Sequence, residues 1–486
     1  MVARGIFISL VTALFAIFPL TDTDIWWHLA CAREWVTTWT PVREPVVNVH
    51  EYFQHIVGYV YALGGAPLLV VFKALSWGVV FALFVRPGKW MGMLFVTYFL
   101  FIFRFHLEMR PVLFSLLFLG IYWNVLPGLF ARAHSDVKMS LLKPVTLLLS
   151  VLILAVQWFW CKCQGLFILG PLFATLVLFV GIWNSHKSGM TLSRRKIALC
   201  VTFVLALFAM PFLHKEGLNL FLYPFGLLDR LLGLSPSAAV FASEIAENRS
   251  PFTLLMAGEN VLESMLMILS CMAGMGYAIY RLYRSHRPDI LGISLIVMSI
   301  LALIAERNFI ILLPFLLLKV GTIGPDEKCQ NHFLRMGHVL IPAVFLAFLL
   351  GLWARSLSAY DYAMVAYQRI PVGAARWMSA HPHHGRLFND DRAGGYLEFM
   401  NPADPVYIDG RFILKTAEFF GHYLEFSNNP ALFLQEADSL GIDRAVFPLR
   451  YYARWEKLLN ALDSGKKWHL KYRDDYFSVY DRNLGL

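Results

Sequence analysis

Apolar runs long enough, or nearly long enough, to cross a bilayer recur along most of this 486-residue chain and outweigh every other sequence signal. A helix spanning the hydrocarbon core needs roughly 20 apolar residues, with a range of about 17–25. Such runs lie near 5–20, 66–85, 90–104, 111–130, 144–160, 165–183, 196–213, 261–280, 289–305, 308–320 and 336–354. The expectation is an α-helical polytopic membrane protein with about eleven transmembrane helices, a few of them short. Hydrophobic residues make up 58% of the chain and charged residues 15%. An ordinary soluble domain has about 45–50% and about 25%. That balance excludes a soluble enzyme, a disordered chain and a fibrous repeat. The first run follows Arg4 and lacks an A-x-A-like cleavage site, so it reads as an uncleaved helix.

Charge placement orients the runs. Residues 355–486 hold 16 basic and 16 acidic side chains, so the net charge of +9 belongs to residues 1–354. Basic residues gather at Arg4 and on every second connection, including Arg86 and Lys89, Arg194 and Arg195, and Arg281 and Arg284. Basic connections mark the cytoplasmic side. Two long loops, 21–55 and 214–253, and the tail then fall outside the cytoplasm. The six cysteines are scattered and suggest neither a disulfide framework nor a zinc site.

The chain divides into a membrane domain, 1–354, and a small soluble α/β domain, 355–486. In the tail, Pro405–Ile408, Ala445–Leu449 and Phe477–Tyr480 are β-prone, and Ala431–Leu440 and Tyr451–Leu462 read as helices. Gly394–Gly395 and Asp409–Gly410 are turn signals. In loop 21–55, Trp26, Trp27, Leu29, Trp35, Val36 and Trp39 read as an interfacial helix with its rings at headgroup depth. Tyr223–Leu234 is a second such segment.

Candidate chemistry gathers at run ends. Asp22 and Asp24 directly follow the first run, and His28 shares a helix face with Asp24 if a helix starts there. Such carboxylates suit Mg²⁺ or Mn²⁺, or general-base work on an acceptor hydroxyl; the plainer reading makes Asp24 a helix N-cap. Arg104, Glu108 and Arg110 stand before Pro111, and Glu306-Arg307-Asn308 separates two runs. Charges so close to hydrocarbon are costly unless paired or facing a cavity. A guanidinium there suits a phosphate, and snorkelling is the alternative. Lys162 sits at another run end, where it either meets a lipid phosphate or snorkels. Glu244 and Glu247 add acid from loop 214–253. Asp409 and Arg411 belong to polar clusters of the tail that bind sugar or stabilise turns. No GxSxG, HExxH or P-loop string is present.

The strings Asp22–Leu29 (D-x-D-x-W-W-H-L), Glu51–Gln54, Arg110-Pro111 with Phe114-Ser115, Trp160 to Gly170, Glu244–Asn248, Arg307-Asn308, Gly394-Gly395-Tyr396 and Ile408–Arg411 form a familiar order. The chain resembles the GT-C superfamily of integral membrane glycosyltransferases, and more closely a bacterial multi-span group placed near them. The resemblance implies transfer of a sugar from a polyprenyl-phosphate donor to a saccharide, lipid or protein acceptor at the outer face of a bacterial cytoplasmic membrane. It implies that Asp22 or Asp24 acts as base, with a divalent metal (Mg²⁺ or Mn²⁺) at the same pair. Arg110, Arg307 or Lys162 would meet the donor phosphate, with Glu108, Glu244, Glu247, Asp409 and Arg411 as further candidates. One position departs from the pattern: Lys162 stands where Asn is expected. Competing readings are a flippase or transporter of a lipid-linked saccharide and a non-catalytic envelope-assembly protein. The charges cluster at one interface and no inverted repeat is visible, which favours the transferase.

Overall fold

The structure is a computed structural model that describes residues 2–35, 38–85, 90–134, 144–189, 193–232, 239–320, 332–450 and 453–483. Helices occupy every apolar run named above. Five of them are long and apolar enough to cross a membrane: Glu51–Phe84, Val112–Ala131, Gly165–Lys187, Arg194–Leu213 and Val261–Ser285. Six shorter apolar helices accompany these among the described residues: Ile6–Phe15, Gly92–His106, Pro144–Trp160, Leu218–Leu228, Ile290–Ile304 and Ala343–Leu357. Full span length is thus reached by five of the eleven expected runs. Many outward residues of these helices are large and apolar, such as Leu148, Leu205, Leu262 and Ile341. A surface of that kind belongs in lipid, where helices satisfy their own backbone groups. The molecule is an integral membrane protein.

Five helices frame the region of interest. These are α1 (Val2–Phe15), α2 (Asp24–Arg33), α3 (Glu51–Phe84), α4 (Trp90–Ile102) and α5 (Val112–His134). The sequence marked 21–55 as loop and started a span at 66, but α3 begins at Glu51 and breaks at Gly64–Gly65, where Gly65 has φ of 64°. The helix continues before the break because Phe53, Gln54 and Val57 are buried.

The tail forms a four-stranded sheet in the order β1-β2-β4-β3, with β1 Arg386–Asn389, β2 Ile442–Pro448, β3 Trp468–Arg473 and β4 Phe477–Arg482. β1 and β2 run parallel, with Phe388 opposite Ala445, and the other pairs are antiparallel, with Val446 opposite Val479. Helices Asp391–Met400, Ala417–Asn428 and Pro430–Leu440 fill the β1–β2 crossover. Every residue of β2 is buried, as a central strand between two neighbours requires.

Three local expectations for the tail fail. Pro405–Ile408 is not a strand: Val406 and Tyr407 are buried, but their backbone serves loop and side-chain contacts, Val406 accepting from the Trp39 amide. Gly394 and Gly395 lie inside helix Asp391–Met400, not in a turn. A Cβ on Gly394 would stand 2.1 Å from the Ile408 carbonyl oxygen and one on Gly395 would stand 3.0 Å from the Trp27 nitrogen, so these glycines serve close packing. The helix expected over Tyr451–Leu462 begins at Glu456, and Tyr451 and Tyr452 lie outside the described residues.

The tail lies directly on loop 21–55. Trp26 packs edge-on to Tyr396, with ring centroids 4.7 Å apart. The Trp39 indole donates to the Leu387 carbonyl at 2.8 Å, and the Lys415 amine donates to the hydroxyls of Thr38 and Thr40, each at 2.6 Å. Trp26 and Trp27 are therefore buried under the tail rather than set at headgroup depth, while Trp35 is exposed and Val36 lies outside the described residues. One apolar core runs from the membrane helices into Tyr396, Leu397 and Phe399 of the tail, and a second, aromatic core surrounds Phe388, Tyr423, Phe447 and Trp455.

Candidate functional site

Asp22 lies in the extended segment between α1 and α2, and Asp24 is the first residue of α2. The Asp24 amide donates to Asp22 Oδ1 at 3.2 Å, which orders the two carboxylates locally. Leu20 exchanges backbone hydrogen bonds with Met364 and Ala366, so the segment is pinned by the start of the tail.

Arg110 crosses to this segment from the turn before α5. Its Nε donates to Asp22 Oδ2 at 2.8 Å and its Nη2 to Asp22 Oδ1 at 3.0 Å. The other side of the same guanidinium donates twice to Glu247, each time at 2.6 Å. A planar fork serving two carboxylates is geometry that arginine provides and lysine does not. The ion pair holds the Glu247 carboxyl down at about 2, overcoming burial, which alone would raise it. Asp24 goes the other way: burial first, then the neighbouring Asp22 charge, push it up to about 8. Two carboxyls with separated proton affinities thus share one site. A Cβ on Gly410 would lie 2.1 Å from Asp24 Oδ1, so the tail closes directly over this carboxyl and only glycine fits there.

Arg307 joins the site from the short helical turn Glu306–Asn308. It is exposed and makes no hydrogen bond or ion pair among the described residues. Its charge interacts with those of Glu247, Arg110 and Asp24. Arg110 and Glu247 also keep part of their side-chain surface accessible, 30% and 45% respectively, so the cluster is open on one side.

The other expected residues are placed as follows. His28 is buried between the rings of Trp27, His50 and Phe53, at centroid distances of 3.5, 5.1 and 4.8 Å. Burial and His50 hold its proton affinity well below the ordinary value, and its Nδ1 has no partner among the described residues. Lys162 is locked between Glu51 and Glu216, 2.7 Å from each, and is almost fully buried. Glu108 accepts from the Thr21 hydroxyl and stands 4.0 Å from Lys73. Arg104 stacks on Phe101 and Phe105 and donates to the Phe101 carbonyl. Glu244 is exposed at the end of Ala239–Glu244. Asp409 and Arg411 form a buried ion cluster with Glu398, in which Arg411 also reaches Cys31 Sγ at 3.3 Å. The structure brings Asp22, Asp24, Arg110, Glu247 and Arg307 together, whereas Lys162 is paired with Glu51 and Glu216 and Glu244 is exposed.

For a metal, both Asp22 oxygens are already taken by Arg110. Among the described residues the ligand atoms that converge belong instead to His106, Glu263 and Glu306, all within 4.8 Å of one another. An imidazole nitrogen with two carboxylates is a donor set that Zn²⁺ and Mn²⁺ accept. Lys73, His106 and Glu263 carried no weight in the sequence reading. The available signal for Lys73 was its isolation in an apolar run, and for His106 its place in the charged string from Arg104 to Arg110.

No protein-family model matches the chain, and no curated protein matches it. Solved structures do. The archaeal oligosaccharyltransferase AglB from Archaeoglobus fulgidus, in complex with an inhibitory peptide and a dolichol-phosphate, aligns over 99% of this chain and 74% of its own, at 11% identity and a TM-score of 0.56. The Archaeoglobus fulgidus oligosaccharyltransferase tethered to an acceptor peptide containing the NVT sequon aligns over the same shares, at 12% identity and a TM-score of 0.57. The same enzyme in complex with zinc and sulfate aligns over 99% and 73%, at 12% identity and a TM-score of 0.51. The chain therefore shares the fold of these solved oligosaccharyltransferase structures.

Proposed function

We propose that this protein is a glycosyltransferase that moves a sugar from a polyprenyl-phosphate-linked donor to an acceptor at the outer face of the cytoplasmic membrane. The D-x-D-x-W-W-H-L string supports membership of the bacterial multi-span group, and the apolar runs and charge alternation support about eleven spans and an extracytoplasmic tail. The observation that carries the reading is the Asp22–Arg110–Glu247 bridge, with Asp24 half-buried beside it and the Arg307 guanidinium left open. The neighbours' complexes with dolichol-phosphate and with an acceptor peptide support a lipid-linked donor in the same fold.

A lipid-linked donor keeps its chain in the bilayer and its phosphate at the interface. Arg307 meets that phosphate and balances the charge that grows as the sugar–phosphate bond breaks. The acceptor's nucleophilic atom forms the new bond to the anomeric carbon, the phosphate leaves with the bonding pair, and Asp24 takes the acceptor's proton. Arg110 touches neither reactant; it keeps Asp22 and Glu247 in place so that their charges raise Asp24's proton affinity towards neutral pH. His106, Glu263 and Glu306 would hold a divalent cation, which when bound would add positive charge beside the leaving phosphate.

The test uses the full-length protein in lipid vesicles with a labelled polyprenyl-phosphate sugar and a saccharide acceptor. Asp24→Asn is expected to lower transfer by about 10²–10⁴-fold, the usual contribution of a general base, while leaving thermal stability intact. Transfer at the wild-type rate refutes Asp24 as the base, and no transfer by the wild-type protein refutes the transferase reading.

A further inference from the structure

Lys73 is the single charged residue between 66 and 84, the apolar half of α3. It is fully buried. A charge at that depth is expensive, and an unforced sequence would place leucine there. Its surroundings explain its retention. The Lys73 amine donates to the Phe18 carbonyl at 3.1 Å and sits 3.3 Å from the centre of the Phe18 ring. The same amine lies 4.0 Å from Glu108 Oε2. One turn along α3, on the same face, the buried Trp77 indole donates to the Glu108 backbone carbonyl at 3.0 Å. Glu108 in turn accepts from the Thr21 hydroxyl.

These contacts fall on two stretches of chain. Phe18 and Thr21 precede Asp22, and Glu108 precedes Arg110 by two residues. One face of a single membrane helix thus grips both segments whose ends meet in the Asp22–Arg110 ion pair. Among the described residues neither Lys73 nor Trp77 contacts Asp24, Arg307 or Glu247, so neither is placed to touch a substrate. We propose that Lys73 is a positioning residue: with Trp77 it clamps the Phe18–Asp24 and Glu108–Arg110 segments in the register that the carboxylate–guanidinium site needs. The consequence for catalysis rests on the transferase reading; the clamp itself does not.

Lys73→Met, Trp77→Phe, Glu108→Gln and the double variant Lys73→Met/Glu108→Gln, in the full-length protein in vesicles, test this beside Asp24→Asn. Lys73→Met leaves Glu108 buried without its countercharge and is expected to lower both thermal stability and transfer. The double variant removes both charges and is expected to recover stability, while kcat stays at least about 10-fold below wild type with the donor KM unchanged, because displacement of reacting groups is costly even at a distance. Amide hydrogen exchange is expected to rise in 19–24 and in 107–110 together in the double variant, and in neither segment in Asp24→Asn. Wild-type kcat in the double variant would show that Lys73 merely neutralises Glu108. A raised donor KM at unchanged kcat would make Lys73 a donor-binding residue instead. If the double variant does not fold, Trp77→Phe decides: unchanged exchange and kcat overturn the clamp. No transfer by the wild-type protein together with raised exchange in the double variant would refute the transferase reading and leave the clamp standing, whereas full transfer in Asp24→Asn would remove only Asp24's role as base.

Discussion

Arg110 grips Asp22 with two nitrogen–oxygen contacts, at 2.8 and 3.0 Å, across 88 residues of sequence. Because the same guanidinium also serves Glu247, it ties three separate stretches of chain into one charged unit. Lysine carries the charge but cannot present the fork. Arg110→Lys is therefore expected to retain the fold and lose about 10²-fold in transfer rate, as a misplacement near 1 Å does elsewhere. Steady-state transfer in vesicles, with circular dichroism as the folding control, checks this; a rate within twofold of wild type would contradict it.

The proton affinity of Asp24 gives a pH signature. Burial and Asp22 hold its carboxyl up at about 8, from an ordinary 3.8, so at neutral pH most of it is protonated and inactive as a base. Transfer should rise with pH through about 8. Asp22→Asn removes a raising charge and frees Arg110, so the midpoint should move to lower pH. A pH–rate profile of both proteins measures the shift, and an unmoved or alkaline-shifted midpoint counts against the assignment.

Gly410 places the tail against the same carboxyl. Its alanine variant puts a methyl group 2.1 Å from the present position of Asp24 Oδ1, which forces one of the two to move. Gly410→Ala is expected to cut transfer by about 10-fold or more, although the residue lies outside the membrane helices. Gly421→Ala, where a Cβ meets nothing within 4 Å, is the control and should be silent.

His383 makes the tail pH-sensitive. Burial alone would depress its proton affinity, but hydrogen bonds to Asp404 at 2.9 Å and to Asp443 outweigh it and raise the imidazole from 6.5 to about 9. A group with a raised folded value stabilises fully below its unfolded value and loses that contribution as pH climbs through the folded one. The melting temperature should thus decline between about pH 6.5 and about pH 9, and His383→Gln should flatten that decline. Calorimetry across the interval would show it.

The membrane character was legible because apolar length is a local property: a run such as 144–160 says helix in lipid with no reference to its neighbours. Asp22, Asp24, Arg110 and Arg307 were legible for a related reason, since charge beside hydrocarbon is conspicuous wherever it occurs. Which of those charges meet was not legible. Lys162 and Arg110 look alike in sequence, yet one is spent between Glu51 and Glu216 and the other joins the acidic pair. That choice is made by how helices distant in sequence pack. The same holds for Gly394–Gly395, read as a turn and found inside a helix, because the need for glycine comes from Trp27, far away in the chain, and from Ile408, beyond the end of that helix. Composition and periodicity fixed which segments are apolar helices. Only tertiary packing decided which ends converge, because ion pairs and close approaches depend on distance in space, and distance along the chain does not encode it.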